Sequence, residues 1–139
     1  MIHLISELNW IGVAVAFFAY FFVGALWFTA LFSKPYKLSL GRENEPEQKP
    51  APIFIIGPAI CTFFVTLTTA ILMHALDFDS YADAFEFGIV IGIGYLVANT
   101  VNIAINPNMP RPLFYSLISG TYHLTGILMA CLILQWFRI

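Results

Sequence analysis

Charge is what this chain has least of. Only 10% of its 139 residues are charged, six basic and eight acidic. None falls between Glu7 and Lys34, Lys49 and Asp77, Glu86 and Arg111, or Arg111 and Arg138. Four uncharged runs of 24 to 27 residues exclude a soluble single domain, an intrinsically disordered chain and a nucleic-acid binder. Catalytic signatures are missing too: no paired carboxylates within the runs, no serine or cysteine with a base at matching depth, and no nucleotide-binding loop. No catalytic residue is assigned, no metal ligand set is found and no cofactor is implied. The acidic segment Asp77, Asp79, Asp83 lacks the glycine turn and distal glutamate of a calcium loop. Cys61 and Cys131 are expected at depths differing by roughly 15 Å, so they are read as packed thiols and not as a disulfide. The first apolar run has no cationic region before it and no cleavage site, and it is expected to be retained as a helix.

What is present is apolar length. At about 1.5 Å per residue even the shortest run reaches about 36 Å, more than the roughly 30 Å hydrocarbon core of a bilayer. Continuous apolarity without alternation favours helices over barrel strands. The expected fold class is all-α, a four-transmembrane-helix bundle forming a single integral membrane domain over 1–139. Its helices are expected near 9–32, 53–76, 81–105 and 113–137, with a cytoplasmic loop over 33–52. Ser80 with Asp83 forms an acidic capping pattern for the third helix, Asn106-Pro107 ends it, and Pro112 suits the first position of the fourth. Pro58 predicts a kink or a late start in the second. The first loop is expected to carry a short interfacial piece around Tyr36 to Leu40.

Lys34, Lys37, Arg42, Lys49 and Arg111 fall in the first and third loops, and Arg138 alone lies on the side of the termini. The positive-inside rule then places those loops in the cytoplasm and both termini outside. His74 is expected at the outer interface, beside the acidic second loop.

Function is sought among the uncharged polar and small residues within the spans, which lipid penalises and proteins turn inward. At helical spacing they form one stripe per span: Tyr20, Gly24, Trp27; Thr62, Thr66, Thr69; Tyr95, Asn99, Asn102, Asn106; and Ser116, Ser119, Gly120, His123, Gly126, Ala130. Depths from the cytoplasmic ends are roughly 12 Å for Gly24, 14 Å for Thr62, 9 Å for Asn99 and 15 Å for His123. One reading is interhelical hydrogen bonding within the bundle. The other is a neutral polar cavity in the cytoplasmic half, lined by Gly24, Trp27, Asn99, Asn102, Tyr122 and His123. Gly88 with Gly92, and Gly94 with Ala98, are small-residue steps that serve bundle packing or self-association, and Gly120 joins them as a packing candidate.

Asn9-Trp10, the stretch Gly24-Ala25-Leu26-Trp27-Phe28 before a basic loop, Arg111-Pro112-Leu113, Tyr122-His123-Leu124 and a close near Trp136 together resemble the domain of unknown function 1761 family of small, mostly bacterial membrane proteins. That family's pattern often has tyrosine after the tryptophan, where this chain has Phe28. The resemblance implies a four-helix integral membrane protein and singles out Gly24, Trp27, Arg111, Pro112, Tyr122 and His123. Arg111 and Pro112 are accordingly expected to make a cytoplasmic-loop contact.

The leading functional expectation is a small-solute binding or permeation module. The alternative is a non-catalytic accessory or scaffolding subunit that packs against itself or a larger membrane complex. Expected partners are membrane lipids and either further copies or a membrane complex, with no nucleic acid.

Overall fold

The computed structural model describes residues 2–46 and 51–137. Lys49, Pro50 and Arg138 lie outside the described residues. Among the described residues there are five α-helices: α1 (Trp10–Leu31), α2 (Ser33–Ser39), α3 (Ile53–Ala75), α4 (Tyr81–Ala104) and α5 (Pro112–Trp136). All but α2 are long and apolar enough to cross a membrane. A 3-10 turn, Ile2–Ser6, precedes them.

Local chemistry sets the helix ends. Asn9 caps α1, its side-chain oxygen accepting from the amides of Ile11 at 3.2 Å and Gly12 at 3.3 Å. Leu8 and Val13, at the two staple positions, are both buried in the core. Ser80 caps α4 by accepting from the Asp83 amide at 3.1 Å, and its hydroxyl donates to the Asp83 carboxylate at 2.6 Å. Pro112 opens α5, where no amide proton is needed. The helix α3 starts at Ile53 and runs on through Pro58. It therefore has no late start, because a proline in the first turns deletes few intrahelical bonds.

The short helix α2 ends in a Schellman motif. Gly41 adopts φ +68°, its amide donating to the Leu38 carbonyl at 3.1 Å, and the Arg42 amide donates to the Lys37 carbonyl at 2.9 Å.

The helix α5 is the spine. The helices α1, α2, α3 and α4 all pack against it, and α1 also packs against α3. Half of α5's most apolar window is buried, against 17% of α4's. That contrast makes α4 peripheral, attached along one side only.

The two ends of the molecule are tied separately. At one end the Asn9 amide donates to the Phe137 carbonyl, and the buried Gln135 amide donates to the Phe78 carbonyl. His74 meets Glu7 there, Nε2 to Oε2 at 3.4 Å, so its acidic neighbour comes from the chain start and not from the second loop. At the other end the Arg111 guanidinium donates to the Leu38 carbonyl and faces Glu43 at 3.5 Å.

Two helices contain a π-helical turn, Trp27–Leu31 in α1 and Gly92–Val97 in α4. In α4 the Ala98 amide donates back to the Ile93 carbonyl, five residues earlier. One extra residue in a turn shifts everything beyond it by about 100° around the axis. Before the turn Ala84, Gly88 and Gly92 are buried; beyond it the burial passes to Ala104, with Val97, Thr100 and Val101 half-buried.

Gly41→Ala tests the α2 terminus. A Cβ there would be strained by the positive φ and would stand 3.1 Å from Pro110 Cγ. The variant is expected to lose about 1 kcal/mol of stability, read as lowered thermal stability in detergent with earlier protease cleavage in the first loop.

Candidate functional site

The α1/α5 interface gathers four of the six residues expected to line a cavity. Gly24 of α1 is a notch filled by Tyr122 of α5: a Cβ on Gly24 would lie 2.7 Å from the Tyr122 hydroxyl oxygen. The reverse notch is Gly126 of α5, filled by Tyr20 of α1, where a Cβ would overlap the Tyr20 ring. The two phenol rings meet edge to face at 5.6 Å.

Polar atoms in this layer are satisfied at close range. The Tyr20 hydroxyl donates to the His123 carbonyl oxygen at 3.2 Å and meets His123 Nδ1 at 3.1 Å. Trp27 Nε1 donates to the Ile118 carbonyl at 3.1 Å. Thr62 of α3 lies beside Tyr122. The remaining threonines of that stripe turn back on their own helix, Thr66 donating to the Thr62 carbonyl and Thr69 to the Val65 carbonyl. They therefore contribute packing and not interhelical hydrogen bonds. Ser119 is the exception: among the described residues its buried hydroxyl has no partner.

An aromatic column carries this layer to the basic end. Phe28 lies 5.1 Å from Tyr122 and 4.7 Å from Tyr36 of α2, and Tyr36 lies 5.9 Å from Tyr115. Burial, with the Tyr115 phenol beside it, pushes the Tyr36 hydroxyl up to about 12, against a smaller opposing pull from Arg42. Arg111 holds α2 on this column through Leu38, and Pro112 starts the helix that carries Tyr115.

Asn99 and Asn102 do not join the site. Both are exposed on α4, as is Tyr95 at 69%. The π-helical turn is the cause. Continued at ordinary pitch, the face holding Gly88 and Gly92 would have carried Tyr95, Asn99 and Asn102 toward α5; the extra residue hands that position to Val97, Val101 and Ala104. Asn106 caps the end of α4, its amide donating to the Ile103 carbonyl at 2.8 Å.

The packing candidates sit on the α4/α5 contact. A Cβ on Gly88 would stand 2.9 Å from Leu128 Cδ2, one on Gly92 2.6 Å from Leu124 Cδ1, and one on Gly120 3.4 Å from Val97 Cγ1. Gly94 has nothing within 4 Å of its Cβ position, so the two small-residue steps of α4 face different ways. Open grooves lie on the surface of the described residues. One is lined by Tyr81, Met129 and Trp136, the other by Val97, Ser116, Gly120 and Thr121; neither involves Gly24, Trp27, Tyr122 or His123.

Fold and site define an all-α protein with four span-length apolar helices and a polar layer closed by its own aromatic side chains. The chain belongs to the family described as protein of unknown function (DUF1761), which matches residues 11–135. No curated protein and no solved structure matches it.

Two outcomes follow from this geometry. Gly126→Ala is expected to destabilise by roughly 1 to 3 kcal/mol through overpacking, whereas Gly94→Ala leaves thermal stability in detergent unchanged. Because the Tyr36 phenol ionises near 10.0 when unfolded and at about 12 when folded, its contribution is complete below pH 10. It is lost as pH rises through 12. Ultraviolet titration of wild type against Tyr36→Phe should show one phenol delayed to that range.

Proposed function

We propose that the protein is a non-catalytic accessory or scaffolding subunit of a membrane assembly, docking through the outer face of α4. In this reading it spans a bacterial inner membrane four times, with α2 and the basic first and third loops in the cytoplasm and both termini outside. Lys34, Lys37, Arg42 and Arg111 at one end of the helices support that orientation.

The observation that carries the reading is the outward placement of Tyr95 and Asn99 on a helix long enough to span. At about 1.5 Å per residue, Asn99 lies about 10 Å from the middle of α4 and Tyr95 about 4 Å from it. A primary amide facing hydrocarbon without a partner costs several kcal/mol, and a second protein removes that cost. A solute module gains less support, because tyrosines of the same chain fill the notches at Gly24 and Gly126.

Solubilisation from native membranes in mild detergent tests the proposal. A particle containing more protein than one 15.6 kDa chain, by light scattering or native mass spectrometry, is expected. A monodisperse lone monomer overturns it.

A further inference from the structure

We infer that the partner on α4 is a second copy of this chain, the two α4 helices meeting around a two-fold axis along the membrane normal. This rests on the reading of α4 as a docking face and names its occupant.

Copies inserted the same way up can be related by a two-fold axis only if it runs along the membrane normal. Such an interface is isologous. Residues close to the axis then meet their own counterparts, so each must be complementary to itself. A charged side chain fails that requirement, and α4 carries none from Phe87 to its end. A primary amide meets it, having both donor hydrogens and an acceptor oxygen, and a phenol hydroxyl does so as well.

Tyr95, Asn99 and Asn102 are all exposed, Asn99 and Asn102 on one face at i and i+3 beyond the π-helical turn and Tyr95 within it. Two asparagine amides facing each other across the axis can exchange a pair of N–H to oxygen hydrogen bonds. Gly94 and Ala98, exposed on the adjoining side of that face, supply the close approach such bonds require. The space around Gly94 is empty within its own chain, and small residues four apart allow helix backbones to come together in a membrane. The polar face and the small-residue step are independent features, and the π-helical turn presents both outward while Gly88 and Gly92 stay on α5. Flanking this face, Ile93 and Ile103 are exposed and apolar, which suits the surrounding lipid.

The test is cysteine cross-linking in native membranes, with Cys61→Ala and Cys131→Ala as background. Single cysteines at Tyr95, Asn99 or Asn102 are expected to give an oxidant-dependent homodimer, while a cysteine at exposed Phe64 on α3 gives none. Asn99→Leu with Asn102→Leu is expected to weaken dimerisation about tenfold, in keeping with the modest strength of membrane hydrogen bonds. Gly94→Leu should also weaken it; that position is open, so folding of the monomer is preserved and is checked by an unchanged melting temperature. Cross-linking equally strong at Phe64 overturns the inference, as does capture of a different protein at Asn99. If α4 gives no homodimer while the solubilised particle still exceeds one chain, the second copy is refuted and the docking reading stands. If the particle is also a lone monomer, both fall.

Discussion

Everything in this molecule is arranged around two tyrosines seated in two glycine notches. Tyr20 reaches from α1 into α5 at Gly126, and Tyr122 reaches back from α5 into α1 at Gly24. Each ring fills space that any larger residue than glycine would occupy, so the helix backbones approach closely and the two rings pack edge to face. Within lipid, where apolar surface gains nothing by leaving one hydrocarbon environment for another, such shape matching and the hydrogen bonds it positions are the available sources of cohesion. The contact between Tyr20 and His123 follows from it: the phenol that fills the notch at Gly126 stands one turn from the His123 carbonyl and ring.

From that contact the structure grades outward. The helix α3 adds its buried threonine edge against α1 and α5, and α2 lies across the basic end with Tyr36 between Phe28 and Tyr115. The helix α4 packs on α5, through the notches at Gly88 and Gly92. The tightly closed side and the open side thus belong to different helices. Tyr20 and Trp27 hydrogen-bond from α1 to α5, whereas Tyr95, Asn99 and Asn102 of α4 face away from the chain.

The span count, the caps at Ser80 and Pro112, and the shared faces of Tyr20 with Gly24 and of Ser116 with His123 were legible in the sequence, because each depends on spacing within one regular helix. A short structured piece in the first loop was legible as well, expected around Tyr36 to Leu40 and found as a helix at Ser33–Ser39, although the Schellman ending at Gly41 was missed where the glycine before Arg42 was its only signal. The direction of the Asn99 stripe was not legible. Helical periodicity says which residues share a face, and the polar-inward rule was used to say where that face points. A single π-helical turn between Gly92 and Val97 breaks the link between those two statements. The close glycines Gly92 and Gly94 mark where the backbone is free enough to take such a turn, but nothing in hydropathy distinguishes it from ordinary helix. A loop contact for Arg111 was expected from the family resemblance, but its partners Leu38 and Glu43 were hidden, as was the pairing of His74 with Glu7, since each depends on which helix ends meet.

Leu124 and Leu128 press into the notches at Gly92 and Gly88, and a knob in a notch resists sliding along the helix axis. Those two leucines therefore act as a ruler. They fix the height of α4 against the spine, and with it the level along the bundle at which Asn99 is presented on the opposite side. A change of leucine size or position would raise or lower the polar face without touching any residue in it, so in the proposed dimer the two amides would stay level only while both rulers agree.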